Sequence, residues 1–71
     1  MTLLERWRLE GGMSRAELAA AAGVSPETIR LVERGQRRLH VGTAVRIGVP
    51  LGRTALEVLA AAKAPAEVES A

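Results

Sequence analysis

Cysteine, asparagine, aspartate, phenylalanine and tyrosine are missing from this 71-residue chain, and histidine and tryptophan occur once each. Each absence closes a class of function. Without Cys there is no disulfide and no thiolate metal site. One His with no Cys or Asp beside it makes no metal centre, so none is expected. No nucleophile–base pair, acid pair or phosphate-binding loop is in view, so the chain reads as no enzyme and as needing no cofactor. No apolar run approaches the roughly 18 residues of a membrane span. The opening Thr2-Leu3-Leu4-Glu5-Arg6 lacks a charged segment followed by an apolar one, so no signal peptide is expected. The expected location is the cytoplasm, with no membrane partner.

What is present is one short domain with uneven charge. A domain of this length buries only roughly 60% of its unfolded surface, so its stability is expected to be modest. Residues 1–54 carry nine Arg and five Glu, a net of +4; residues 55–71 carry Lys63 against Glu57, Glu67 and Glu69, a net of −2. The first part can face a polyanion and the last cannot.

Helix starts and stops are plainly written. The pattern Ser/Thr-x-x-Glu occurs at Thr2/Glu5, Ser14/Glu17 and Thr54/Glu57, where the hydroxyl caps one backbone N–H and the Glu reaches back to another. Ser25-Pro26 is a fourth start, a cap followed by Pro at the first helical position. Gly11-Gly12, Gly23, Gly35 and Gly52 are stops. Five helices follow, over about 3–10, 15–22, 26–34, 41–49 and 55–62, and no segment alternates long enough for a strand. The inward residues are expected to be Leu3, Leu4, Trp7 and Leu9, then Leu18, Ala19 and Ala22, then Ile29 and Val32. The fourth helix offers Val41, Ala44, Val45 and Ile47, and the fifth Leu56, Val58 and Leu59. Pro50 lacks an N–H and Gly48 weakens the same turn, so the fourth helix is expected to end early or kink, with Leu51 still on the core. Residues 1–63 form the domain. From Ala64 onward large apolar residues run out, and 64–71 is expected to be a flexible tail.

The stretch Ser14–Gly35 reads as two short helices joined by a tight turn at Gly23, with Gln36, Arg37 and Arg38 immediately after. Ala19 is small where two helices nearly touch, and Val24, Ile29 and Val32 face the first pair. Glu27, Thr28, Arg30, Leu31 and Arg34 are left outward. That is the layout of a helix-turn-helix whose second helix enters the major groove.

Taken together, Arg8, Gly12-Met13-Ser14-Arg15-x-Glu17-Leu18-Ala19, Ala22-Gly23-Val24-Ser25 and Thr28-Ile29-Arg30-x-Val32-Glu33-Arg34-Gly35 resemble the Cro/C1-type (XRE) helix-turn-helix family. Thr43–Ile47 and Leu51–Glu57 fit that family's fourth and fifth helices, and the resemblance covers roughly residues 3–60. It implies an all-α, compact five-helix, lambda-repressor-like bundle, with helices 2 and 3 as the helix-turn-helix. It further implies a bacterial or phage transcriptional regulator, acting as a repressor or by recruitment, on double-stranded DNA in the nucleoid. Family base-reading positions fall on Pro26, Glu27 and Leu31, with Thr28 and Arg30 beside them. Since Pro26 has no side-chain bond to offer, the reading set is Glu27, Thr28, Arg30 and Leu31. Ser14, Arg15, Pro26, Arg34, Arg37 and Arg38 are placed along the phosphates, and a structural ion pair falls on Arg8 and Glu33. The chain departs from the family at Pro26 and Leu31, at Leu39-His40 where Pro-Ser is common, and at Pro50 inside the fourth helix.

The chemistry of readout follows from residue type. Arg30 matches guanine O6 and N7, Glu27 matches the cytosine N4 amine, and Thr28 and Leu31 match a thymine methyl. Arg34, Arg37 and Arg38 would supply sequence-blind affinity. Plainer readings stand beside these: Arg30 paired with Glu27 or Glu33, Glu27 as a first-turn acid, Trp7 as a core anchor and His40 as a loop residue. The Leu56/Val58/Leu59 stripe fits ordinary core and, equally, part of a homodimer surface. An antitoxin-like or adaptor module, keeping the fold for a protein partner with weak DNA binding, is the second functional reading.

Overall fold

In a computed structural model the described residues are 1–67. They form α1 (Leu3–Glu10), α2 (Arg15–Ala22), α3 (Pro26–Glu33), α4 (Val41–Leu51) and α5 (Ala55–Ala61). Side-chain caps mark four of the five starts; α4 begins after His40 with no side-chain cap bond. The Ser14 and Thr54 hydroxyls accept the Glu17 and Glu57 N–H groups, and those two carboxylates accept the N–H of their cap residue in return. Ser25 Oγ accepts the Thr28 N–H at 3.1 Å, ahead of Pro26. The Thr2/Glu5 box forms only by half: Thr2 Oγ1 accepts the Glu5 N–H at 3.3 Å, but the Glu5 carboxylate turns to Arg15 and Arg8. Two guanidinium groups bind it more strongly than the single Thr2 N–H would.

The core is small-residue helix packing. Leu4, Leu18, Ile29, Ile47 and Val58 are fully buried, with Leu3, Trp7, Ala19, Ala22, Val32, Ala44, Ala61 and Ala62 around them. Leu9, Val41, Val45 and Leu56, expected inward or apolar, are at least half exposed. Helical geometry supplies the reason, at about 100° per residue. Leu9 lies about 200° from Trp7, Val45 about 200° from Ile47, and Leu56 about 200° from Val58. The Arg53 guanidinium lies 3.9 Å from the centroid of the Trp7 ring, a cation–π contact that roofs the edge of the core.

α4 does not end early. It runs through Pro50 to Leu51 and closes at Gly52. Pro50 sits in the last turn, so one helical bond is forfeited, and the carbonyl it frees belongs to exposed Arg46. Gly48 is a requirement of the packing: a methyl there would run into the Arg53 carbonyl oxygen. With no side chain between them, the Arg53 N–H reaches the Gly48 carbonyl at 3.0 Å, the longer bond of a Schellman closure.

The first residues of the expected flexible tail return to α1. The Leu3 N–H donates to the Ala64 carbonyl at 2.8 Å, the Ala66 N–H to the Met1 carbonyl at 3.2 Å, and Arg6 Nη1 to the Ala66 carbonyl at 2.9 Å. The remainder of that tail, 68–71, lies outside the described residues.

Candidate nucleic-acid interface

The turn between α2 and α3 is closed by backbone geometry. Gly23 takes φ +73°, where an L side chain is strained. Its N–H donates to the Ala20 carbonyl and the Val24 N–H to the Ala19 carbonyl, so the chain leaves α2 at a fixed angle. Ala19, 1% exposed, lets the backbones come close, and Ile29 and Val32 lock the inner side of α3 into the common core.

A buried ionic knot then fixes α3 against α1 and α2. Arg8 Nε donates to Glu33 Oε2 at 2.6 Å and Arg8 Nη2 to Glu33 Oε1 at 3.3 Å. Arg15 Nε donates to Glu33 Oε1 at 3.0 Å, and its Nη2 to Glu5 Oε2 at 3.3 Å. Arg8 Nη1 also donates to the Met13 carbonyl at 2.8 Å. The Glu33 side chain is fully buried and that of Arg8 6% exposed. Two Arg and two Glu balance, and no buried side-chain polar atom among the described residues lacks a partner. Glu5 and the inward role of Arg15 were not anticipated. The local sequence carries no signal for them: residues 1–17 hold Arg6, Arg8 and Arg15 against Glu5, Glu10 and Glu17, an even balance that leaves the partners undecided.

The outward side of α3 carries the other candidate residues. Pro26, Glu27 and Arg34 are exposed; Thr28, Arg30 and Leu31 are half-buried. Pro26 has no N–H and the Thr28 N–H is taken by Ser25, which leaves the Glu27 N–H as the first-turn donor pointing outward. Arg30 Nε donates to Glu27 Oε1 at 2.8 Å and Nη2 to Glu27 Oε2 at 2.6 Å. Of the two pairings the sequence allowed for Arg30, this is the one formed, since Glu33 is occupied. Arg37 reaches back from the loop after α3, and its Nη1 donates to Thr28 Oγ1 at 2.9 Å. Arg34 and Arg38 are exposed and make no ion pair among the described residues. Ser14 stands exposed at the head of α2.

The electrostatics follow the hydrogen bonds. The Arg30 fork, and then the charges of Arg30 and Arg37, hold the Glu27 carboxyl below the usual carboxylate range. Glu27 in turn raises Arg30. Glu27 and Arg30 thus form a charge pair at the start of α3 with Arg37 bonded beside it, and Arg34 and Arg38 stand exposed at the end of α3 and in the loop that follows.

A helix-turn-helix family model matches residues 4–58, which spans α2, the turn, α3, α4 and most of α5. Two crystal structures of the clp gene regulator ClgR from Corynebacterium glutamicum are similar. One aligns with a TM-score of 0.74 at 30% identity, covering 86% of this chain and 78% of that one. The other aligns with a TM-score of 0.75 at 26% identity, covering 96% and 72%. No curated protein matches the sequence significantly.

Proposed function

Because the chain belongs to the helix-turn-helix family, of the Cro/C1 type, we propose that it is a sequence-specific DNA-binding transcriptional regulator. In this reading α3 enters the major groove with Glu27, Thr28, Arg30 and Leu31 toward base edges. Ser14, Arg15, Pro26, Arg34, Arg37 and Arg38 border the phosphates. The observation that carries it is the family match over the α2–turn–α3 unit together with the outward placement of Arg30, Arg34, Arg37 and Arg38 beside it. Arg34 and Arg38, exposed and unengaged by any acid among the described residues, are the residues best placed for counterion release. The domain acts by occupying a promoter, without catalysis. If two copies bind together, the operator is a palindrome with half-sites about one helical turn apart.

A second reading is favoured by one observation: the guanidinium best suited to read guanine is already in a bidentate pair with Glu27. An antitoxin-like or adaptor role toward a protein partner would leave it so. Selection of bound sequences from a random duplex pool, followed by titration of the winner and of random duplex at several salt concentrations, separates the two. A defined motif and a salt-dependent affinity are expected. Absence of salt-dependent binding to any duplex would sink the regulator reading.

A further inference from the structure

Glu27 is the one outward-facing acid on α3. The other acid of that helix, Glu33, is buried and neutralised by Arg8 and Arg15. Glu27 sits at the second position of the helix, one turn before Arg30, and both oxygens are engaged by two different nitrogens of the same guanidinium. This is the side-on geometry in which Arg takes guanine O6 and N7. The carboxylate therefore occupies the Nε–Nη2 edge of the guanidinium, and a base taken on that edge must displace it. The pair is also solvent-accessible, with side-chain exposures of 38% for Arg30 and 60% for Glu27, so it can open without unpacking the core.

Resting on the DNA-binding reading above, we propose that Glu27 is a specificity-determining latch on Arg30. Without a matching base pair it holds the guanidinium away from DNA; a site offering guanine acceptors to Arg30 and a cytosine amine to Glu27 opens it. On random duplex, moving Arg30 to a phosphate replaces one carboxylate by another anion and leaves Glu27 bare beside the polyanion, so nothing is gained. On a matching site both halves of the pair find new partners. The same acid thus lowers non-specific affinity and supports specific affinity, which is discrimination built by repulsion as well as attraction. Arg37, held on Thr28 Oγ1, keeps a second cation beside the latch, so the site is not emptied of positive charge while Arg30 is withheld.

The test compares the wild type, Glu27→Ala, Arg30→Ala and the double variant on the selected site and on random duplex, each at several salt concentrations. Glu27→Gln accompanies them as the milder form that keeps one acceptor oxygen. Freeing Arg30 adds one phosphate contact. The slope of log affinity against log salt on random duplex should then steepen by about 0.9, which is roughly an eightfold gain at 0.1 M salt. The ratio of specific to random affinity should fall at least as much, and Glu27→Gln should move both in the same direction by less. In the Arg30→Ala background the Glu27→Ala gain should vanish. A gain that persists without Arg30 reports general repulsion of phosphate and overturns the latch. No gain, with wild-type binding intact, overturns it while leaving the DNA-binding reading standing. If no variant binds any duplex, the DNA-binding reading itself falls and the latch with it.

Discussion

Removing the Glu33 carboxylate is the most severe single change the structure offers outside the apolar core. In Glu33→Ala, Arg8 loses both of its bonds to that carboxylate, at 2.6 and 3.3 Å, and Arg15 loses its bond at 3.0 Å. Arg8 is the costly orphan, because its side chain is only 6% exposed and water cannot replace the acid. Breaking a buried pair in this way costs about 3–5 kcal/mol. Arg8 keeps the Met13 carbonyl at 2.8 Å and a distant Glu5 at 3.8 Å, which places the expected loss near the lower end, about 3 kcal/mol. A 71-residue domain holds roughly 4–10 kcal/mol in all. Each kilocalorie moves the midpoint of a domain this size by about 4–8 °C, so Tm should drop by roughly 12–24 °C.

Urea and thermal unfolding followed by helical circular dichroism measure this directly. The companion is Arg8→Met with Glu33→Leu, which removes both charges and leaves apolar volume behind. Arg15 then keeps Glu5 at 3.3 Å, close to the surface. The double variant should be more stable than Glu33→Ala, since the penalty lies in the unpaired charge and not in the loss of the pair. A loss below about 1 kcal/mol in Glu33→Ala, or a double variant less stable than that single one, would refute the reasoning.

Further outcomes follow from the same contacts. Gly48→Ala puts a methyl against the Arg53 carbonyl oxygen and should destabilise by about 1–3 kcal/mol; a neutral or stabilising result in urea unfolding would show that the α4–α5 loop gives way. Glu17 and Glu57 are held below the usual carboxylate value, first by the N–H of Ser14 and of Thr54 respectively. A depressed folded value stabilises above the unfolded one and is lost as pH falls through the folded one. Tm should therefore begin to fall below pH ~4.3, and Glu17→Gln should lose less of its Tm than the wild type over that range; an unchanged Tm down to pH ~3 contradicts the capping assignment. Arg38→Ala should weaken all duplexes alike and flatten the salt slope by about one, while Arg30→Ala should relax the preference at one base position. An unaltered selected motif in Arg30→Ala removes that residue from the reading set.

What the sequence made legible divides by distance along the chain. Ser14, Ser25 and Thr54 each settle a helix start with a partner three residues away, and Gly23 and Val24 close the turn on carbonyls three and five residues behind them respectively. Such signals are complete within a short window, and the starts of all five helices fall where they were expected. The misread features depend on neighbours that the window does not contain. Gly48 looked like a weak point in a helix because the Arg53 carbonyl that packs on it was not in view. Pro50 reads locally as an interior proline, yet it occupies a last turn that Gly52 closes. Glu5 looked like half of a capping box because Arg15 comes near only once α1 and α2 are packed.

The interface shows how such a distant contact settles a local one. Arg30 stands three residues from both Glu27 and Glu33, so spacing alone leaves its partner undecided, and each pairing is geometrically open on a helix. Burial decides. Glu33 faces inward, where Arg8 and Arg15 already fill its oxygens, and a third guanidinium would have to enter the core to share them. Arg30 is therefore left with Glu27 at the surface. The knot beneath α3 thus sets which acid meets Arg30 above it. Arg8→Ala, which loosens the knot, removes a support of α3 against α1, and the motif selected from a random duplex pool should then be less sharply defined even though no outward residue has changed; an unaltered motif would show that the knot does not act on the outer face.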